Sequence, residues 1–371
     1  MNKNVLFLLM LAVFTGGILI SCTDSGSGTN PDNSWELLKE LVMIPGVSGY
    51  ESRVADFIQE RLPEGVNPQR DEMENLWFTA GSGQPHLVFV AHTDELGFVV
   101  EEITPDGMLK VSRRGGFLPQ MYEGHSVEIH TQRGAVPAIV APRPDYSARN
   151  LEILPFDTED VAVYIGVNTE EEVRALGVTE GNPVTIKKKI VEFSPYLLAT
   201  RAVDDRAGCA ALLEASLLVD WADITDKTIT FAWDVQEETG LFGASRLAEK
   251  LDADYVFPVD TFVSSAGPFD SKRFAHLPLG KGAVLRAADS SSVVPRAQLE
   301  KAIAIAEAHG IPIQLGNTRG GTDGSAFVPH GAVNVMLSWP GTYSHSFIEK
   351  IHRADLEALV NLITALVKDW R

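Results

Sequence analysis

Cysteine is nearly absent from this sequence, whose 371 residues include only Cys22 and Cys209. Cys209 lies in an apolar helical pattern beside Ala210 and Ala211, which is typical of a small core residue and not of a catalytic nucleophile. With 45% hydrophobic residues, a chain of this length can bury a large core and form more than one domain.

Basic residues are also few, since 31 Lys and Arg stand against 50 Asp and Glu and the net charge is −19. Nucleic-acid binding needs basic patches, so this composition argues against nucleic acid as a partner. The sequence lacks internal repeats. Its long apolar run, residues 5–20, is short for a membrane-spanning helix.

The N-terminal segment has the pattern of a secretory signal. Lys3 precedes the apolar run, and the run ends in Leu19-Ile20-Ser21-Cys22. These four residues resemble the lipobox of bacterial lipoproteins. The resemblance implies removal of residues 1–21, lipid on Cys22, and an extracytoplasmic protein anchored on the periplasmic or cell-surface face of a membrane. Residues 22–33 would then be a flexible tether, and Cys209 would have no disulfide partner. An ordinary signal anchor is the alternative.

A strand that ends in two acids is the centre of the candidate site. Thr228–Val235 is rich in β-branched and aromatic residues, which predicts a buried strand. Glu237 and Glu238 follow it, Gly240 permits a turn, and a helix begins near Gly243. Ligands of an open α/β sheet bind where strands end. An acidic surface turn is the alternative, although a solvated turn does not need an apolar strand to carry it.

A second strand end carries a histidine and an acid. Leu87–Ala91 is an apolar strand, and His92 and Asp94 come directly after it. Residues two apart on an extended backbone face the same way, so Asp94 can orient His92 as a metal ligand. A buried His–Asp pair with a purely structural role is the alternative.

Three more candidates lie at a strand end or a helix start. Asp260 ends an apolar strand that begins at Tyr255, His345 follows a fourth strand, and Asp204 precedes a helix at 210–219. Helix capping is the alternative role of Asp204 and its neighbour.

The carboxyl ends of strands in one sheet converge, so we expect these side chains to form one site. Two histidines and three carboxylates suit two divalent ions that share one carboxylate, and this donor set favours zinc or cobalt. Two such ions can hold a hydroxide and polarise a carbonyl, and Glu237 is placed to take the proton of the water. The predicted metal ligands are His92, Asp204, Glu238, Asp260 and His345.

The segment 98–193 differs in its residue pattern from the segments on either side. Short β-type runs alternate there with Gly and Pro turns, and helical periodicity is nearly confined to 170–176. This pattern predicts a small β-rich domain inserted into an α/β domain that comprises residues 34–97 and 194–371. Residues 142–155 are predicted as a loop. Helices are predicted at 34–41 with Ser34 as cap, 51–62, 301–309 and 354–370.

Six ordered blocks carry a family resemblance: His92-Thr-Asp94-Glu95, Asp204-Asp205-Arg206-Ala-Gly208, Gln236-Glu237-Glu238, Val259-Asp260, Gly321-Thr322-Asp323 and Ser344-His345-Ser346. They resemble the M42 family of metalloaminopeptidases, which includes glutamyl and tetrahedral (TET) aminopeptidases and some relatives named glucanases. The resemblance runs from about Leu38 to the C-terminus, and the consistent order of the blocks makes it specific.

The resemblance implies a role for each predicted ligand and two metal ions in each subunit. His92 and Asp260 would hold one ion. Glu238 and His345 would hold the other, with Asp204 as the bridge between the two.

The resemblance also implies a reaction and an architecture. Glu237 would act as general base and then as general acid, and Asp94 would orient His92, while the enzyme removes the N-terminal residue of a peptide. The fold would be that of the zinc exopeptidases, which is phosphorylase/hydrolase-like, with helices flanking a mixed sheet. The β-rich insert would be a PDZ-like domain through which the protein forms a homo-oligomer.

Some positions depart from the family pattern. Glu74 stands where a glycine is usual before Asn-Leu, and residues 141–157 match poorly. Thr261-Phe262 replaces the usual run of small residues after Asp260, which leaves the preferred side chain of the substrate open. A lipid anchor also departs from a family that is mostly cytoplasmic and often forms twelve-subunit assemblies.

Other functions remain as alternatives. A carboxypeptidase or amide deacylase of related structure would use the same ligands. Glycoside hydrolysis usually needs two carboxylates without metals, whereas here the acids are used as ligands. A non-catalytic binding lipoprotein would lack a ligand or the base, and none is missing.

The remaining polar residues have less specific interpretations. Arg206 is interpreted as pairing with acids near the site. Thr322 and Asp323 are interpreted either as contacts to substrate or a neighbouring subunit, or as a helix cap. Histidines without the strand-end pattern are expected at surface or packing positions, namely His125, His130, His276, His309, His330 and His352.

Overall fold

The computed structural model of the protein describes residues 33–143, 157–265 and 275–371. The predicted signal segment, Cys22 and nearly all of the predicted tether lie outside these residues, as does most of the predicted loop 142–155. Within these ranges no helix combines the length and the apolar character that a membrane crossing requires.

The described residues form eight α-helices and four short 3-10 helices. The α-helices are α1 (Ser34–Leu41), α2 (Ser52–Gln59), α3 (Glu170–Ala175), α4 (Val203–Leu218), α5 (Phe242–Ala248), α6 (Arg296–Ala308), α7 (Gly324–Phe327) and α8 (Arg353–Asp369). The 3-10 helices are Pro119–Tyr122, Thr158–Asp160, Trp221–Asp223 and Val328–His330.

The strands of the described residues are β1 (Gln69–Arg70), β2 (Leu76–Gly81), β3 (His86–His92), β4 (Gly97–Ile103), β5 (Met108–Arg114), β6 (Ser126–Thr131), β7 (Gly134–Val140), β8 (Ala162–Tyr164), β9 (Pro183–Ile186), β10 (Val191–Ser194), β11 (Leu197–Thr200), β12 (Thr228–Asp234), β13 (Tyr255–Val263), β14 (Ala283–Ala288), β15 (Ile313–Asn317), β16 (Val333–Asn334), β17 (Met336–Gly341) and β18 (Glu349–His352).

A mixed sheet forms the centre of the larger part of the chain. Its strand order is β1-β2-β12-β3-β13-β17-β14-β15, and β16 pairs with β13. The inner strands β12, β3, β13 and β17 run parallel to one another. Antiparallel pairing joins β2 to β12 and β14 to β17. The predicted α/β class is therefore confirmed.

Both faces of this sheet are buried. Along β3, Leu87 and Phe89 point into the larger core with α1, α2, α4, α6 and α8, whereas Val88 and Val90 point to the opposite face with α5 and α7. Because successive strand residues point to opposite faces, a strand covered on both faces needs a continuous apolar run. This is the pattern that identified β3, β12 and β13 in the sequence.

A separate closed barrel forms between β3 and β10 in the chain. Its strand order is β4-β5-β8-β7-β6-β9, and its core is a second apolar cluster that includes Phe98, Val111 and Ile129. The barrel strands run from Gly97 to Ile186. β10, at the end of the predicted insert, pairs with β11, which pairs with β18 near the C-terminus.

The ends of several helices differ from the predictions. The side chain of Asn33, not Ser34, caps α1 by accepting a hydrogen bond from the Glu36 amide. α6 begins at Arg296, five residues before the predicted start at 301, and Pro295 occupies its N-cap. α4 is assigned from Val203, but the backbone angles of Asp204 and Asp205 are not helical, so the regular part of the helix begins after these two residues and before the predicted start at 210.

His130, on β6 of the barrel, makes the stability of the protein sensitive to acid. Burial lowers the pKa of His130 from its usual 6.5 to about 4. Because the folded-state pKa is depressed, the unfolded chain binds more protons at His130 between these two values, and the contribution of His130 to stability falls as the pH drops from 6.5 toward 4. We expect His130→Asn to lose less melting temperature between about pH 7 and pH 5 than the wild type does, measured by calorimetry.

His330→Asn is the matched control for this experiment, since His330 is exposed and lies outside the barrel. It should lose as much melting temperature as the wild type. An equal loss in His130→Asn and the wild type would show that His130 does not cause the acid sensitivity.

Candidate metal centre

One edge of the central sheet collects the predicted site residues. β12, β3, β13 and β17 are parallel, so their carboxyl ends meet at this edge. His92 is the last residue of β3, Asp260 lies in β13, Glu238 follows β12, and His345 follows β17. Asp204 reaches the same edge from the kinked start of α4, where its own backbone is not helical.

The five predicted ligands form two groups with one shared member. His92, Asp204 and Asp260 make one group, and Asp204, Glu238 and His345 make the other. Within each group the donor atoms lie within 4.8 Å of one another. Since Asp204 belongs to both groups, one carboxylate stands between two positions that could each hold a cation.

The distances between donor atoms fit metal coordination better than direct hydrogen bonding. Nε2 of His92 lies 3.5 Å from Oδ1 of Asp204. Nε2 of His345 lies 3.8 Å from Oδ2 of Asp204 and 3.6 Å from Oε2 of Glu238. These separations are long for hydrogen bonds. Two donors at ordinary zinc distances and a tetrahedral angle are about 3.4 Å apart.

Two further observations support the fit. Oδ1 of Asp204 is buried and has no hydrogen-bond partner. Burial raises the pKa of Glu238 to about 7 and that of Asp260 to about 6, and Asp204 beside each of them contributes. Carboxylates crowded together away from water are stabilised by cations. The residues present therefore fit divalent ions, and their imidazole and carboxylate donors suit zinc or cobalt.

Both histidines present Nε2 to these positions, with Nδ1 turned toward another group. Oδ1 of Asp94 lies 3.3 Å from Nδ1 of His92. Nδ1 of His345 donates to the carbonyl of Gly116 at 2.7 Å, so this nitrogen carries the proton. A partner on one ring nitrogen sets the tautomer and the orientation of the ring.

Asp94 contacts the turn with the two glutamates as well as His92, which the sequence did not predict. Its Oδ1 accepts from the Glu237 amide at 3.0 Å, and its Oδ2 accepts from the Glu238 amide at 3.2 Å. The Ser48 hydroxyl donates to the same Oδ2 at 2.5 Å. Asp94 therefore links His92 to the turn that carries the two glutamates.

Glu237 lies in the cleft that contains the candidate ligands. The cleft has a volume of about 700 Å³ and also contains Leu241, Val263 and Tyr343 on its walls. Burial raises the pKa of Glu237 well above its usual value, and the charges of Asp323 and Glu238 raise it further. A carboxylate with a raised pKa suits proton transfer near neutral pH.

Sequence reasoning missed Glu349, which connects two of the candidate ligands. Its Oε2 accepts from the Asp204 amide at 3.2 Å, and its Oε1 accepts from the His345 amide at 2.8 Å. The Asp204 amide is 145 residues away in the chain, so no local pattern marks Glu349 as the residue that connects the two ligands.

Asp205 has a structural role beside Asp204. Its Oδ1 accepts from the Gly208 amide at 3.1 Å, which is a capping contact, and its Oδ2 accepts from the His92 amide at 3.2 Å. The capping alternative therefore applies to Asp205, while Asp204 faces the candidate metal positions.

Thr322 and Asp323 are buried beneath the cleft. The side chain of Asp323 does not cap α7. Burial raises the pKa of Asp234 to about 8, and burial with Asp234 nearby raises that of Asp323 well above its usual value. The adjacent Gly320 and Gly321 line the cleft instead.

The interpretation that Arg206 pairs with nearby acids holds only through its charge, which together with those of Lys188 and Arg201 lowers the pKa of the buried Glu95. Its direct hydrogen bonds are to carbonyls. Nη1 of Arg206 donates to the carbonyls of Leu41 at 2.7 Å and Ile44 at 3.0 Å. Leu41 is the last residue of α1 and Ile44 lies in the turn that follows it, so Arg206 joins this turn to α4. Within the described ranges, none of the remaining histidines belongs to either ligand group.

Comparison with known proteins identifies the family of this chain. The sequence matches the profile of the family described as M42 glutamyl aminopeptidase over residues 75–362. It is 32% identical over 338 residues to FrvX of Escherichia coli K12, and this match covers 88% of this chain and 93% of FrvX. It is 27% identical over 346 residues to the lysyl aminopeptidase of Pyrococcus furiosus, and this match covers 91% of this chain and 97% of that protein.

The structure is similar to that of the TET1 peptidase of Pyrococcus horikoshii, which can assemble into a tetrahedron or a large octahedral shell. The TM-score is 0.83 at 34% identity, and the match covers 90% of this chain and 99% of that one. The resemblance carried by the six sequence blocks is confirmed, and the chain belongs to the M42 family of aminopeptidases.

Proposed function

We propose that this protein is a metal-dependent aminopeptidase that uses two divalent ions, zinc or cobalt, to remove N-terminal residues from peptides. The observation that carries the proposal is the shared position of Asp204 between two ligand groups in the cleft that also contains Glu237. His92 and Asp260 would hold one ion, and Glu238 and His345 the other. When bound, such a pair of ions acidifies a water molecule and polarises a carbonyl group.

The side chains around the ions have separate tasks. Glu237 takes the proton of the attacking water and returns it to the amine that leaves the substrate. Asp94 keeps Glu237 in place through its backbone amide and orients the ring of His92. Glu349 holds the backbone of Asp204 and His345 in the same way.

The location and assembly of the protein are part of the proposal. Lipid on Cys22 would tether the enzyme to an extracytoplasmic membrane face, where peptides outside the cytoplasm are its substrates. The barrel would be the PDZ-like domain through which subunits form a homo-oligomer. The assembly of the TET1 peptidase supports this role of the fold, and a membrane tether limits which assemblies can form.

The first experiment measures hydrolysis by a soluble form that begins after Cys22. The substrates are aminoacyl-anilides and short peptides, and the enzyme is assayed after chelation and after addition of Zn²⁺, Co²⁺ or Mn²⁺. We expect chelation to abolish turnover, because both the nucleophile and the carbonyl depend on the ions. Zn²⁺ or Co²⁺ should restore it better than Mn²⁺.

Peptides with blocked N-termini are the control, and they should not be cleaved. Cleavage of blocked substrates would favour an amide deacylase or an endopeptidase instead. Release of residues from the C-terminus would identify a carboxypeptidase. No turnover with any metal, with about two ions bound per chain, would contradict a peptidase function.

A further inference from the structure

The barrel contacts the candidate metal centre directly. The loop after β5 carries Gly116, whose carbonyl accepts the hydrogen bond from Nδ1 of His345 at 2.7 Å. The ring of His345 therefore takes its orientation from the barrel, although its backbone follows β17 of the central sheet. The other four candidate ligands lie in strands of the sheet, follow one, or belong to α4.

The backbone that carries His345 is strained. Tyr343 and His345 have φ angles of 64° and 62°, in the left-handed region that non-glycine residues rarely adopt. Such conformations are unfavourable and persist only when surrounding contacts enforce them. The bond from the His345 amide to Glu349 is one such contact.

Phe347 supplies a second contact from the same loop. Its ring packs edge-on against Tyr122 at 4.7 Å between ring centroids, and it lies 5.3 Å from the ring of His125. Phe347 thus packs against the apolar core of the barrel. Its neighbour Ile348 is 54% exposed and takes no part in that core.

The barrel loop with Gly115 and Gly116 also packs tightly against Glu238, which belongs to the same ligand group as His345. A Cβ on Gly115 would lie 2.3 Å from Cδ2 of Leu96 and 3.2 Å from Cβ of Glu238. A methyl group there would require the Leu96 side chain to move and would press on Glu238, at a positive φ that side chains rarely adopt. Alanine at this position is therefore expected to displace the loop relative to Glu238.

The candidate position formed by Asp204, Glu238 and His345 is called the second metal position. We infer that the barrel completes this position, with Phe347 as the positioning residue that anchors the His345 loop to the barrel core. The inference rests on the proposed role of His345 as a metal ligand. Phe347 fixes the loop, the Gly116 carbonyl fixes the ring, and Nε2 of His345 then faces Glu238 and Asp204. The position formed by His92 and Asp260 has no such dependence on the barrel.

The test is a Co²⁺ titration of the metal-depleted full-length protein in detergent, followed by the visible absorption of bound Co²⁺. His345→Ala identifies the binding step that belongs to the second position. We expect Phe347→Ala to weaken that step by about 10- to 100-fold, the usual effect of removing a group that orients a metal ligand. The other step should stay within about twofold. Phe347→Leu, which keeps most of the apolar volume, should restore most of the lost affinity.

Ile348→Ala is the matched control on the same loop and should leave both steps unchanged. A second pair of variants tests the barrel loop. Gly115→Ala and Gly124→Ala both place alanine at a positive φ, of 89° and 76°, but only Gly115 has neighbours that clash with the methyl group. We expect selective weakening of the second step in Gly115→Ala and not in Gly124→Ala.

Unchanged affinities in both Phe347→Ala and Gly115→Ala would overturn the inference, as would equal weakening of both steps. If Phe347→Ala does not fold, Gly115→Ala decides the question by the same criteria. A wild type that binds two Co²⁺ ions but hydrolyses no peptide would remove the proposed function and leave the inference about the barrel standing.

Discussion

Glu237→Gln lowers kcat by about 10²–10⁴-fold while the protein keeps its metal ions, if Glu237 is the general base. Glutamine has the same shape and retains the backbone amide that donates to Asp94. It cannot accept a proton, so water activation is lost while the architecture of the site is preserved. The measurement is kcat for an unblocked aminoacyl-anilide, together with metal content by plasma mass spectrometry after dialysis.

Glu238→Gln is the matched comparison one residue away. It should lower metal content, because Glu238 belongs to a ligand group and Glu237 does not. The two variants thus separate loss of the base from loss of a ligand. Full turnover in Glu237→Gln would show that another group accepts the proton. Loss of metal in that variant would show that Glu237 is a ligand.

Asp204→Asn should be more damaging, because Asp204 is the member common to both ligand groups. An asparagine side chain has one oxygen and no charge, so it cannot bridge two cations. A metal ion contributes several kcal/mol of transition-state stabilisation. Loss of about 4 kcal/mol lowers kcat/KM by about 10³-fold. We expect fewer than about two ions per chain after dialysis and a fall in kcat/KM of at least this size.

Asp223→Asn is the control, since Asp223 is an exposed aspartate in a short 3-10 helix. Its metal content and kcat/KM should equal those of the wild type. Retention of two tightly bound ions by Asp204→Asn would contradict the bridging role. Loss of only one ion would place Asp204 in a single position and not between two.

The strands of the central sheet could be predicted because their signal is local. A strand covered on both faces has to be apolar throughout, and β3, β12 and β13 have that composition. The acids and histidines at their ends interrupt this pattern abruptly, which marked His92, Glu238 and Asp260 as candidates. Helix ends were less predictable. Pro295 precedes the start of α6 and Asn33 caps α1, and each of these features depends on a single residue.

The groups that orient the site could not be predicted in the same way. Glu349 acts on the amides of Asp204 and His345, which are 145 and 4 residues away in the chain. Arg206 has the charge to pair with acids, but its hydrogen bonds are to the carbonyls of Leu41 and Ile44, which are more than 160 residues away in the chain. Such contacts depend on which elements pack together, and side-chain type alone does not specify them.

The sequence by itself determined the family, the α/β class and the candidate ligands, because each follows from residue type and order along the chain. Only the tertiary structure decided how the ligands divide into two groups around Asp204, how Asp94 holds the Glu237 turn, and how the barrel reaches His345 through Gly116 and Phe347. These arrangements come from packing between segments far apart in sequence. A hydrogen bond or ring contact is sensitive to shifts of less than 1 Å, and local patterns do not fix positions that closely.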